Sequence, residues 1–123
     1  MKQEVERISI NGVNYVKEGS QLKQAEKFDD MEYCIVRTYS AGVFAGYVQS
    51  RNGKEAVVRK ARRIWYWKGA ASLSQLATDG TSNPEDCKFP CEVDKIELTE
   101  VVEILSVTQK AKESIKGVKV WQE

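Results

Sequence analysis

Between residues 59 and 68 the chain reads "RKARRIWYWK", which sets Arg59, Lys60, Arg62, Arg63 and Lys68 beside Trp65, Tyr66 and Trp67. These are the residue types that hold an anionic ring compound. A guanidinium offers phosphate a planar fork of N–H donors, and an indole or phenol ring offers a face on which a base can stack. Arg37 and Tyr39, in "RTYS", could line the same surface from a neighbouring strand. The start of a helix expected over 73–79 adds backbone N–H groups that favour negative charge. The candidate ligand-binding set is therefore Arg37, Tyr39, Arg59, Arg62, Arg63, Tyr66, Trp67 and Lys68. Replacing Arg62 and Arg63 together by Ala is expected to abolish binding and leave the fold intact.

A plainer reading competes with this one. Alternate residues of a strand share a face, so Trp65 and Trp67 are expected in the core, with the arginines snorkelling to water at its rim. Charge is also unevenly spread. Arg51, Lys54, Arg59, Lys60, Arg62, Arg63 and Lys68 face only Glu55 between residues 51 and 70. Glu85, Asp86, Glu92, Asp94, Glu97, Glu100 and Glu103 dominate residues 85 to 103. The two segments either neutralise each other, within or between subunits, or each meets a partner of its own.

Catalysis is disfavoured by what is missing. The chain has no histidine, which removes Ser-His and Cys-His nucleophile pairs and the commonest general base near neutral pH. "SAGVFAG" has the wrong spacing for a phosphate-binding glycine loop and no Lys-Ser/Thr after it. A non-enzymatic protein without cofactor is expected. Of the three cysteines, Cys87 and Cys91 lie in "CKFPC" and Cys34 far away. An odd number closes no complete disulfide set, and a zinc site would need a carboxylate as fourth ligand, so buried, reduced thiols and no metal are expected.

The elements that must position these residues are well punctuated. "ERISI" and "VNYV" around Asn11-Gly12 read as a hairpin, and "SQLKQAEKFDD" as a short helical linker opened by Ser20. "MEYCIVRTYS" and "AGVFAGYVQS" read as strands, the two glycines of the second marking a bend or a close backbone approach. Asn52-Gly53 turns the chain into "EAVVRKARRIWYW" as an antiparallel neighbour, where neither face is cleanly apolar, so a bulge or twist is expected to break the alternation. Ser72 and Gln75 have capping-box spacing and Gly80 stands as a C-terminal cap. "EVDKIELTEVVEILSVT" carries two further strands, "TQKAKESIKG" a last helix, and Trp121 is expected to pack back on the body. The sum is an α+β fold, mainly antiparallel sheet with two or three short helices. Residues 1–30 form the hairpin and linker, and 31–123 the β-rich main domain with helices near 73–79 and 109–116.

At 123 residues the chain has room for one core. It has no apolar run of the roughly 20 residues a membrane span needs, and "MKQEVERISI" has no signal-peptide core, so a cytoplasmic protein is expected. "RTYSAGVFAGYVQSRNGKEAVVRKARRIWYWKGAASLSQLATDG", followed by "CKFPCEVDKIELTEVVEI", resembles a widespread family of small phage and prophage proteins of unknown function. The likeness runs from about residue 33 to the end and is most specific over "ARRIWYWKGAASLSQLA". It implies a virus-encoded accessory protein in the host bacterial cytoplasm and assigns no residue a role. The expectation that follows is a homo-oligomeric binding protein for an anionic nucleotide or short nucleic acid, an anti-defence sponge for a cyclic nucleotide signal being one form. The alternatives are an inhibitor or scaffold acting on a host protein, and a nucleic-acid-binding accessory.

Overall fold

The computed structural model describes residues 23–123, and its first strand, β1 (Glu32–Thr38), is buried on both faces. Tyr33 and Ile35 enter one hydrophobic core, and the alternate residues Cys34 and Val36 enter another. That double burial is why "YCIV" reads as a continuous apolar run rather than an alternation. Strands β2 (Val43–Asn52), β3 (Glu55–Arg63), β4 (Glu92–Leu98) and β5 (Val101–Ser106) complete a sheet ordered β4-β3-β2-β1-β5, with every pairing antiparallel.

The two edge strands, β4 and β5, are separated in sequence only by Thr99 and Glu100. The sheet must therefore curl until its edges meet at that corner. Val101 N–H donates to the Lys54 carbonyl at 2.9 Å and Tyr39 N–H to the Glu100 carbonyl at 2.9 Å, which pins the corner to both hairpin turns. Inside the curl lie Cys34, Val36, Phe44, Ala56, Val58, Ala61, Leu98 and Val101. Outside it, helices α1 (Leu73–Asp79) and α2 (Gln109–Gly117) cover a second core that includes Tyr47, Ile64, Leu76, Phe89 and Ile115. The α+β architecture expected from the sequence is the one observed.

The expected break in β3 is a bulge at Lys60, whose φ of 51° is left-handed. Ala56 and Val58 point into the curl before it, and Ala61 after it, so Arg62 is turned towards the helices. Gly46 lies opposite. A Cβ there would stand 2.9 Å from the Arg59 carbonyl oxygen and 3.0 Å from the Ala61 Cα, so only glycine lets β2 approach the bulge. β3 ends at Arg63 and does not run on through Trp67, because Tyr66 leaves the sheet to pair with Lys88.

The helix punctuation is local and holds. Ser72 Oγ accepts from Gln75 N–H at 3.2 Å, Gln75 Oε1 accepts from Ala71 N–H at 2.7 Å, and Gly80 at φ 78° returns its N–H to the Leu76 carbonyl. Thr108 Oγ1 caps α2 through Ala111 N–H at 3.0 Å and donates to the Thr78 carbonyl at 2.7 Å, tying the two helices together. The N-terminal hairpin lies outside the described residues. The described part of the linker, 23–30, has no helical turn: Gln24 bridges Thr108, Phe28 bridges Met31, and Asp29 and Asp30 take positive φ angles that a helix cannot continue through. Phe28 is drawn instead to the Tyr47 ring, 5.4 Å away.

Candidate functional site

Arg62, the centre of the sequence-based set, is turned into the protein and not towards the surface. It is 6% exposed, and its guanidinium donates four hydrogen bonds to main-chain carbonyls: Pro90 at 2.9 Å, Ile115 at 2.8 Å, Phe89 at 3.1 Å and Val118 at 2.7 Å. The bulge at Lys60 aims it into the gap between the 89–90 loop and the end of α2. There it satisfies carbonyls that a helix end leaves unpaired. Burial lowers its pKa, opposed by Tyr33, Glu92 and Cys91 nearby. Removing Arg62 with Arg63 is therefore expected to destabilise the fold, against the expectation that it would leave the fold unaffected.

The other arginines are also engaged within the chain. Arg59 reaches the Asp94 carboxylate at 3.3 Å and the Asp94 carbonyl at 3.2 Å, Arg37 meets Glu103 at 2.5 Å, and Arg63 donates to the Ala41 carbonyl at 2.6 Å while lying over the Phe44 ring. β3 and β4 are neighbours, so Arg59 of the basic segment meets Asp94 of the acidic one inside one chain. Tyr39 is 82% exposed at the β1–β2 turn, where its N–H is bonded to the Glu100 carbonyl. At the start of α1, Gln75 N–H is bonded to the Ser72 hydroxyl and Leu76 N–H to the Ser72 carbonyl.

What remains is aromatic. Trp65 is 62% exposed, against the expectation that it is core, and Tyr66 is 47% exposed; Trp67 is half-buried against the helix-covered core, with Nε1 bonded to the Ala70 carbonyl at 3.2 Å. Lys68 is exposed. After Arg63 the chain enters a small ribbon outside the main sheet. Tyr66 and Lys88 exchange both main-chain hydrogen bonds, at 3.3 and 2.8 Å, and Trp121 N–H donates to the Phe89 carbonyl at 3.0 Å. Phe89, fully buried, plugs this ribbon into the core.

The pairing carries the C-terminal segment back over residues 64–66, as expected for Trp121. The Trp65 and Trp121 rings are parallel to within 9° with centroids 6.4 Å apart, and Trp121 is 46% exposed. Lys88 Nζ sits 5.9 Å from the Tyr66 centroid and 5.5 Å from that of Trp121. A groove of about 780 Å³ runs beside Trp121 between residues 84–87 and 117–123. The site thus joins three partly exposed aromatic rings and an ammonium on a backbone held by hydrogen bonds.

Lys88 and Trp121 were missed from sequence. The signal available was a tryptophan in the polar tail "KVWQE" and a lysine inside "CKFPC"; nothing local says that the two meet. Among the cysteines, Cys34 and Cys87 are buried as expected and Cys91 is exposed. Burial, with Glu32 adding, pushes the Cys34 thiol up to about 11. Burial, reinforced by Tyr47 and Glu92, likewise holds the Tyr33 phenol well above its ordinary value. Among the described residues no group of three or more Cys, Asp or Glu is arranged to hold a metal, and no helix is long and apolar enough to cross a membrane.

No curated protein and no solved structure matches the chain. The model of a family described as a domain of unknown function, DUF6948, matches residues 31–115, which include β1 to β5, Arg62, Trp65, Tyr66 and Lys88 but not Trp121. The chain belongs to that family.

Proposed function

We propose that this is a non-catalytic binding protein that takes an anionic, ring-bearing ligand, a nucleotide or short nucleic acid, on the aromatic ribbon. One observation carries the reading: Trp65, Tyr66 and Trp121 stay exposed while held together by main-chain pairing, with Lys88 over two of them. Half-exposed aromatic side chains forgo part of the roughly 1.5–3 kcal/mol each that full burial would give, a loss that stacking on a ligand base would recover. Lys88 and the exposed Lys68 supply the charge that the arginines cannot. The resemblance to phage and prophage proteins gives this binding a setting, an accessory protein that withholds a nucleotide signal from the host.

The test is tryptophan fluorescence during titration with nucleoside monophosphates, dinucleotides and cyclic dinucleotides. Quenching that saturates, and that Trp121→Ala or Lys88→Ala weakens about tenfold or more at unchanged melting temperature, is the expected result. Absence of quenching by every one of these ligands at millimolar concentration would overturn the reading.

A second reading, association with a host protein or with other copies, draws on the sheet edges. Among the described residues β4 and β5 each have one unpaired side, and Val93 and Val102 are 44% and 47% exposed on them. Light scattering separates it from the first: it requires concentration-dependent assembly without nucleotide.

A further inference from the structure

We propose that the ligand of this surface is single-stranded nucleic acid, held through its phosphates by a second subsite formed by Lys60, Lys112 and Lys116. This rests on the aromatic ribbon being a base-stacking surface and extends it from one ring to a strand.

Lys112 and Lys116 lie one turn apart on α2 and lean onto the same pair of rings. Lys112 Nζ is 5.8 Å from the Tyr33 centroid and 5.3 Å from that of Tyr47; Lys116 Nζ is 5.6 and 5.4 Å from them. Lys60 Nζ sits 4.9 Å from the Phe28 centroid, and Phe28 packs on Tyr47. Three ammonium groups thus converge over one aromatic floor. The ammonium groups stay near the surface while lying over the rings, which makes a cationic face. Among the described residues, Glu92 stands 3.8 Å from Lys116, Lys112 reaches the Glu26 carbonyl at 3.3 Å, and Glu113 on the same helix is bonded to Gln109. Like charges crowded over shared rings repel, and a polyanion relieves that repulsion.

The two subsites are continuous. A groove of about 350 Å³ is lined by Lys116, Tyr33, Arg62, Glu92, Val118 and Val120, and Val120 is the residue before Trp121. It leads from the lysines to the ribbon. Among the described residues the groove is open to the surface. An open lane with charge at one end and ring faces at the other fits a strand whose backbone tracks lysines while its bases stack. Duplex DNA hides its bases and would leave the ribbon idle.

The experiment is fluorescence anisotropy with labelled oligothymidylates of about 4, 8 and 12 nucleotides, and a duplex of the same length, at several salt concentrations. Affinity is expected to rise with length and to exceed that for duplex. Lys112→Gln with Lys116→Gln is expected to weaken the longer oligomers about tenfold and to reduce the log-log salt slope by about 1.4, while dinucleotide quenching of tryptophan persists. Lys60→Gln, which leaves α2 untouched, is expected to remove about 0.7 of slope, and Lys112→Arg with Lys116→Arg to retain binding. Affinity independent of length, a duplex bound as tightly, or unchanged slopes in the Gln variants would overturn the proposal while leaving the stacking site standing. Loss of dinucleotide quenching from the unmodified protein would bring down both.

Discussion

Arg62→Ala is the perturbation that probes most of the fold at once. The guanidinium donates to four carbonyls at 2.7–3.1 Å, drawn from the 89–90 loop and from the end of α2. A hydrogen bond from a charged donor contributes about 1.5–3 kcal/mol, and a buried carbonyl left without a donor costs about 1–3 kcal/mol. Summed naively, that exceeds what the variant would lose. Burial of the charge opposes it, as the lowered Arg62 pKa records, and the groove beside Arg62 lets water reach some of the freed carbonyls. A net loss of about 3–5 kcal/mol remains, a large share of the roughly 5–15 kcal/mol that holds a domain of this size together. Urea unfolding followed by circular dichroism should show the midpoint falling with little change in slope, and thermal melting a drop of roughly 10–20 °C. Arg62→Lys should recover less than half of this, since one ammonium cannot span four carbonyls. Because Val118 leads into Trp121, the Trp65–Trp121 stack should loosen and tryptophan emission shift to the red before global unfolding. Stability within 1 kcal/mol of the unmodified protein, together with loss of ligand binding, would refute this account and restore Arg62 to the ligand site.

Two further expectations concern the curled sheet. Gly46→Ala puts a Cβ 2.7 Å from Val58 Cγ1 and 2.9 Å from the Arg59 carbonyl oxygen, so it should destabilise by about 2–3 kcal/mol, whereas an unaltered urea midpoint would mean the bulge is not held against β2. Cys34 has its folded pKa raised from the ordinary 9.0 to about 11. The folded state therefore holds the proton more tightly than the unfolded chain, so this contribution is complete below pH 9.0 and is lost as pH rises towards 11. The loss is of order 2 kcal/mol, and Cys34→Ala should flatten that part of the stability profile. Native-state alkylation at pH 8 should modify Cys91 and spare Cys34 and Cys87; equal labelling of all three would contradict their burial.

The buried arginine and the exposed ribbon follow from two successive breaks, the bulge at Lys60 and the end of β3 at Arg63. Up to that point the bulge at Lys60 sorts side chains between the curl and the helix layer. Beyond it, pairing with Lys88 carries Tyr66 and its neighbour Trp65 out to solvent.

Features that a few adjacent residues decide were legible in the sequence. Ser72 and Gly80 bracket α1, Thr108 opens α2, Asn52-Gly53 turns β2 into β3, and the α+β class follows from the succession of such signals. Each depends on dihedral preferences and hydrogen bonds that close within about four residues. The basic run was legible only as composition. Whether an arginine meets a ligand or a carbonyl depends on groups far along the chain, and the partners of Arg62 lie 27 to 56 positions away. The same holds for Trp65 and Trp121, which the pairing of residues 66 with 88 and 89 with 120 brings face to face. Local pattern pointed to some of the residues that could bind an anionic ring and missed Lys88 and Trp121. Only the tertiary structure decided which of them are free to do so, because a buried guanidinium must spend its donors on the nearest unpaired carbonyls before it can offer any to a ligand.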